Sequence, residues 1–191
     1  MMDKVLKLFA LLFLPVLAMG QVTNATARQP RISYFSETSR PASEIKSTFP
    51  YDIALRTADG DTLNSSSVFV QNGRPTVLMF WLTTCVPCRY ELAAAAKKYE
   101  AWQQDTPFNL YAISVDFPKN YGSFVKRVND SAWPFPAYHD LNREFRLVMP
   151  GALNGLPQSF VLDKDGNIVR HKRKYSIGEE DELFNFIKTL K

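Results

Sequence analysis

Residues 76–82 form an almost unbroken apolar run, and the only two cysteines of the chain follow it as Cys85-Val86-Pro87-Cys88. An apolar run without polar alternation is typical of a strand that is buried on both faces of a sheet. Residues 89–104 are compatible with a helix, and a second apolar run covers residues 110–115. Strand, helix and strand in this order predict a right-handed parallel crossover, so the cysteines lie at a strand-to-helix junction of an α/β fold.

Turn residues and apolar periodicity predict the other elements. Asp59-Gly60-Asp61 indicates a small β-hairpin ahead of the main sheet, and residues 163–166 indicate a second hairpin between strands 158–162 and 167–170. Helical stretches are predicted near residues 121–128 and 141–147, and an amphipathic helix over residues 179–190. The predicted architecture is a central mixed sheet flanked by helices, with an N-terminal β-hairpin.

The first twenty residues have the layout of a secretory signal peptide, with a charged start, an apolar run from Leu8 to Leu17 and small residues before Gln21. The apolar run is shorter than the roughly 20 residues that a spanning helix needs. We therefore predict cleavage near Gly20/Gln21, export to the periplasm or another extracytoplasmic space, and no permanent membrane span. Residues 21–47 are predicted to be a polar lead-in, and residues 48–191 one folded domain.

Composition excludes several classes of protein. Loss of residues 1–20 removes Lys4, Lys7 and Asp3, so the formal net charge falls from +4 to +3, which does not argue for a nucleic-acid partner. Two cysteines are too few for a disulfide scaffold. His139 and His171 lack the paired spacing of zinc sites. We therefore expect no metal and no cofactor beyond a redox-active Cys85–Cys88 disulfide.

A C-x-x-C pair at the start of a helix suits thiol chemistry. The free backbone amides and the positive helix end favour a thiolate, so Cys85 is the predicted nucleophile. Cys88 lies one helical turn away and is predicted to resolve a mixed disulfide internally. The alternative is a static disulfide, although a bridge that closes so short a loop constrains the unfolded chain very little.

Glu91 lies three residues after Cys88, on the same face of the predicted helix. A partly buried carboxyl there would have a raised pKa and could carry protons to and from the resolving thiol. The alternative for Glu91 is a solvated residue that favours the helix start through its charge.

Two segments carry a family resemblance: residues 80–91, which read FWLTTCVPCRYE, and residues 155–166, which read GLPQSFVLDKDG. Together they resemble the exported thioredoxin-like thiol-disulfide oxidoreductases of the TlpA and ResA type, over residues 48–191. The resemblance implies a thioredoxin-like fold, a cis-proline at Pro157 facing the cysteines, and a Leu156 backbone that pairs with substrate. It also implies protein disulfide substrates, apocytochromes c awaiting haem among them, and a membrane thiol as electron donor; we expect a monomer.

The sequence differs at three positions from the residues that are usual in thioredoxins or in the family that it resembles. Met79 stands where ordinary thioredoxins keep a buried aspartate, Thr84 replaces the usual tryptophan before the first cysteine, and Leu156 replaces a threonine or valine. These changes bear on substrate identity and on the reduction potential, which spans from about −270 to about −120 mV among C-x-x-C proteins. The leading hypothesis is a protein disulfide reductase.

Two other functions are considered. Peroxiredoxins share the fold but place a threonine three residues before the reactive cysteine, where this chain has Leu82. A copper chaperone would use both cysteines and a histidine, although related carriers space their cysteines more widely. The basic run 170–174 could meet an acidic partner or a membrane surface, but we interpret it as the solvated end of a strand. Residues 133–136 could line a substrate groove, and a rigid connection packed on the core is the favoured interpretation. His139 is expected to be a surface or capping histidine, with a metal ligand or proton carrier as the alternative.

Overall fold

The structure is a computed structural model and describes residues 42–190. The predicted signal peptide and residues 21–41 of the predicted lead-in lie outside the described residues. Ile45, in the part of the lead-in that is described, is only 5% exposed and belongs to the hydrophobic core. Within residues 42–190 no helix is both long enough and apolar enough to cross a membrane.

The described part of the chain contains one mixed sheet of seven strands in the order β2-β1-β5-β4-β3-β6-β7. The strands are β1 Ala54–Arg56, β2 Thr62–Asn64, β3 Thr76–Trp81, β4 Asn109–Ser114, β5 Ala137–Asp140, β6 Gln158–Leu162 and β7 Ile168–Arg173. β3 is parallel to β4, and β4 is parallel to β5, whereas the other neighbours are antiparallel. The predicted mixed sheet and N-terminal hairpin are confirmed.

Every residue of β3 is buried, as its apolar sequence predicts, because β4 and β6 flank it and both faces of the sheet are covered. The helices are α1 Ser65–Val68, α2 Val86–Asp105, α3 Tyr121–Ser131, α4 Phe145–Val148 and α5 Glu179–Lys188. One face of the sheet packs against the N-terminal segment and α4, around Phe145. The other face packs against α2, α3 and α5, where the Trp102 and Phe184 rings stack with centroids 5.2 Å apart.

The predicted helix over residues 141–147 is wrong in its start and length. Arg143 has a φ of 60°, which interrupts any helix through that position. The Asp140 carboxylate accepts hydrogen bonds from the backbone N–H groups of Glu144 and Phe145, both at 2.9 Å. The helix therefore begins only at Phe145 and makes a single turn.

His139 is not a surface or capping residue. It lies in β5, a strand that the sequence did not predict, and its side chain is fully buried. Its ring lies 5.7 Å from the Tyr121 ring and 5.6 Å from the Phe124 ring, and burial lowers its pKa. The preceding segment packs on the core as predicted, since Phe135 is buried against Tyr99.

The basic run covers the last four residues of β7 and the residue that follows, and His171, Arg173 and Lys174 are exposed, which confirms the predicted solvated end of a strand. Lys172 lies 2.7 Å from a carboxylate oxygen of Glu179, and Arg170 lies 3.7 Å from one of Glu182. Both acids belong to the first turn of α5. The cations of the edge strand are therefore paired with the acidic start of the last helix.

Candidate active site

Cys85 and Cys88 form a disulfide at the junction between β3 and α2, with Cα atoms 5.3 Å apart. Cys85 is the N-cap residue of α2, and the backbone N–H of Cys88 points at the Cys85 sulfur from 3.3 Å. Pro87 occupies the first turn, where its missing N–H leaves no helical bond unmade. The first sulfur therefore lies at the positive end of a 20-residue helix.

The two cysteines differ in exposure. Cys85 is partly exposed, whereas Cys88 is fully buried in the core beneath α2, together with Leu92 and Met79. An incoming disulfide can therefore reach the Cys85 sulfur from solvent, whereas the Cys88 sulfur can be reached only from within the pair. The pair therefore presents one accessible sulfur and one enclosed sulfur.

A buried acid that the sequence did not reveal holds the loop before Cys85. Asp116 follows β4 and accepts hydrogen bonds from the Thr83 backbone N–H at 2.8 Å and from the Thr83 hydroxyl at 2.9 Å. The Ser114 hydroxyl donates a third bond at 2.7 Å. Because parallel strands end at the same edge of a sheet, the residue after β4 meets the loop after β3. The sequence signal that could have revealed this role is the acidic residue directly after the predicted buried strand 110–115.

Glu91 lies on the buried face of α2 and is 6% exposed. Its pKa is raised to about 8, chiefly by burial and secondly by the nearby Glu179 carboxylate, against the Lys172 ammonium, which lowers it. None of residues 42–190 forms a hydrogen bond with its carboxyl group. The predicted burial and raised pKa are confirmed, and at neutral pH this carboxyl holds a proton one helical turn from Cys88.

The peptide bond between Leu156 and Pro157 is cis, as the family resemblance implies. Phe80 pairs with Gln158 in the antiparallel ladder between β3 and β6, so the cis-proline loop lies beside the end of β3 that leads to Cys85. Gly155, with a φ of 76°, allows the turn into this loop. Leu156 packs against the cores on both faces of the sheet.

The side chain of Gln158 holds the cis-proline loop through hydrogen bonds, a role that the sequence did not indicate. Its buried side-chain amide donates to the carbonyl oxygens of Asn154 at 2.9 Å and Gly155 at 3.0 Å. Its amide oxygen lies 2.9 Å from Nε2 of His171, whose ring stacks on Phe160 with centroids 4.1 Å apart. The loop is therefore tied to both β6 and β7.

Residues 42–190 contain no group of three or more His, Cys, Asp and Glu side chains that could hold a metal ion. His139 packs against α3, and it lines neither the groove at Val86 nor the one at Thr84. No described histidine therefore lies together with Cys85 and Cys88 in such a group.

The fold and the cysteine pair define a thiol-disulfide oxidoreductase of thioredoxin fold. The profile of the AhpC/TSA family matches residues 45–171, and the chain belongs to this family. The TlpA- and ResA-like resemblance is confirmed by curated relatives. Sporulation thiol-disulfide oxidoreductase A of Bacillus subtilis is 24% identical over 135 residues, covering 69% of this chain and 76% of that protein.

Two further similarities point the same way. Thiol-disulfide oxidoreductase ResA of Bacillus thuringiensis is 26% identical over 120 residues, which cover 62% of this chain and 64% of ResA. The chain therefore spans slightly less than two thirds of that relative. The solution structure of a thioredoxin-like protein from Porphyromonas gingivalis superposes with a TM-score of 0.62 at 28% identity, covering 73% of this chain and 89% of that one.

Proposed function

We propose that this protein is an exported reductant of protein disulfides that works by dithiol-disulfide exchange at Cys85 and Cys88. The observation that carries the proposal is the asymmetry of the pair: an accessible sulfur at the N-terminus of α2 and a buried one a turn further on. A purely structural disulfide does not need one accessible sulfur. A disulfide that closes so short a loop also contributes little to stability.

The reaction begins with the reduced pair. The Cys85 thiolate attacks one sulfur of a substrate disulfide, forms a mixed disulfide and releases the other substrate sulfur as a thiolate, which takes up a proton. Cys88 then loses its proton and attacks the Cys85 sulfur. The second substrate thiol leaves, and the Cys85–Cys88 disulfide is restored. Two electrons and two protons pass from the protein to the substrate.

Glu91 is proposed to exchange the proton of Cys88. Its pKa of about 8 lies close to the value of roughly 8.5 for a free thiol, so a proton passes between the two groups with little change in free energy. The buried Met79 of β3 cannot carry a proton, whereas Glu91 is the one carboxyl among the buried residues of α2.

Leu156 and Pro157 are proposed to bind the substrate. An extended substrate segment lying across the cis-proline loop would pair with the Leu156 backbone and bring its disulfide over Cys85. The support is the placement of this loop beside the end of β3 and its fixation by Gln158.

Export and the partners rest on the sequence. The signal-peptide layout of residues 1–20 supports a periplasmic or extracytoplasmic site of action. There a monomer without a metal or other cofactor would draw electrons from a membrane thiol and pass them to oxidised proteins, apocytochromes c before haem attachment among them. Cytochrome c maturation is the process that such substrates would serve.

The test is reduction of insulin by the purified protein with a chemical dithiol as electron donor. Cys85→Ala should abolish reduction, and Cys88→Ser should retain a covalent mixed disulfide with the substrate that mass spectrometry detects. Insulin reduction at the wild-type rate by Cys85→Ala would refute the proposal. Equilibration of the pair with glutathione then gives the reduction potential, and a value near the thioredoxin end of the range supports a reductant.

A further inference from the structure

A groove of about 510 Å³ lies between α2 and α3, and it begins close to the N-terminus of α2. Val86, which directly follows Cys85, lines the end of the groove and is 46% exposed. Ala93 and Ala96 form its wall along α2, and Trp133 faces them from the segment after α3. A ligand in this groove would therefore extend to the residue that follows the accessible Cys85.

Three cations line this groove, and no acidic side chain lines it. They are Arg89 and Lys97 from α2 and Arg127 from α3, and none forms an ion pair with a residue in the described range. Nε of Arg127 is buried and has no hydrogen-bond partner there. A positive groove without counterions fits an anionic ligand.

The groove also offers fixed aromatic surface. The Trp133 ring is held edge-on to Trp81 at 5.2 Å and stacked on Phe135 at 6.0 Å. Tyr90, on the α2 side, is 64% exposed, and the apolar surface continues past it to Ile177, which is 92% exposed. Exposed apolar surface of this kind beside a reactive group is typical of a protein-binding site.

We propose that this groove, the α2–α3 groove, binds an acidic segment of the oxidised substrate polypeptide that carries an aromatic side chain near its disulfide. The proposal rests on the function proposed above and adds a substrate class to it. The three cations attract the acidic residues, and Trp133 and Tyr90 take the aromatic side chain. The chain's own residues 21–41 are a poor occupant, because they carry Arg28, Arg31 and Arg40 against Glu37, a net charge of +2.

The test compares two disulfide-bridged peptides that share the same cysteine-containing centre and tryptophan. One is flanked by Asp and Glu, the other by Lys. Second-order rate constants for reduction by the reduced protein are measured at low and high ionic strength. We expect the acidic peptide to react on the order of tenfold faster at low ionic strength, with a smaller ratio in high salt, as for electrostatically steered association.

Lys97→Glu should remove most of that preference. Lys164→Glu is the matched control, because it changes the net charge equally but lies in the β6–β7 turn at the opposite end of the sheet, exposed to 67%. Reduction of the small neutral hydroxyethyl disulfide should be the same in both variants and in the wild type. This readout shows that each variant is folded and active.

Three outcomes would overturn the proposal. Equal reduction rates for the two peptides would refute the proposed role of the groove. If the protein still reduces insulin in that case, the proposed function itself is not affected. An acidic preference that survives in a Lys97→Glu/Arg127→Gln double variant, with normal reduction of hydroxyethyl disulfide, would place the site elsewhere. Failure of the wild type to reduce any disulfide would refute the proposed function, and the substrate class would fall with it.

Discussion

Replacement of Glu91 by glutamine should stabilise the oxidised protein at alkaline pH and leave its stability unchanged in acid. The reason is the cost of ionising a buried carboxyl that receives no hydrogen bond from residues 42–190. Burial first, and the Glu179 carboxylate second, raise the pKa of Glu91 from 4.5 to about 8 in the folded protein, against the effect of Lys172.

The sign and size follow from proton linkage. A folded-state pKa above the unfolded value contributes stability that is fully present below the unfolded pKa and is lost as pH rises through the folded pKa. The window is therefore from about pH 4.5 to about pH 8. At about 1.4 kcal/mol per pH unit, the full loss is about 5 kcal/mol, an upper bound because relaxation and water entry reduce the cost of a buried charge. Glutamine does not ionise and avoids this loss.

The assay is urea unfolding of wild type and Glu91→Gln at several pH values across this window, with the disulfide intact so that neither thiol titrates. The difference in unfolding free energy between the two proteins should be constant below about pH 4, grow through the window and level off above about pH 8. Titrating groups that are not coupled to Glu91, such as the buried Asp140, contribute to both proteins and cancel in the difference. Glu100→Gln, at an exposed position of the same helix, should show no such growth. A pH-independent difference for Glu91→Gln would refute the reasoning.

Three further predictions concern the supports of the site and the core. Asp116→Ala removes two hydrogen bonds to Thr83, in the loop before Cys85, and a third to Ser114 of β4. It should cost about 2 kcal/mol of unfolding free energy and slow insulin reduction, whereas Asp130→Ala on the exposed face of α3 should do neither. Gln158→Met loosens the cis-proline loop, so KM for peptide disulfides should rise while reduction of hydroxyethyl disulfide stays unchanged; unaltered peptide KM would argue against a binding role for this loop. Trp102→Ala removes the ring that stacks on Phe184 between α2 and α5, and it should cost about 3–5 kcal/mol in urea unfolding, a loss that a value below about 1 kcal/mol would contradict.

Elements whose signals are local were predictable from the chain. β3 is buried along its whole length, and its sequence predicts this because five of its six residues are apolar and do not alternate with polar ones. The hairpin turns around Gly60 and Gly166 follow from residues that accept positive φ values, 103° and 85°. The position of the cysteine pair follows equally directly, because the strand before it and the helix after it are both continuous in sequence.

Elements that depend on their neighbours were not predictable. β5 is four residues long and reads Ala-Tyr-His-Asp, which has no apolar periodicity. It is a strand because β4 lies on one side and β1 on the other, and these neighbours bury His139 and Asp140. The same burial explains why a histidine expected at the surface is packed between aromatic rings.

The chain by itself determined the chemistry of the site: two cysteines one helical turn apart, a carboxyl on their side of the helix, and a proline-containing loop of the right type. Only the tertiary structure decided which sulfur is reachable, that Asp116 and Gln158 hold the two loops around it, and that Arg89, Lys97 and Arg127 meet in one groove. The physical reason is that spacing along a helix is local, whereas burial, hydrogen-bond partners and unpaired charge depend on residues that are distant in sequence.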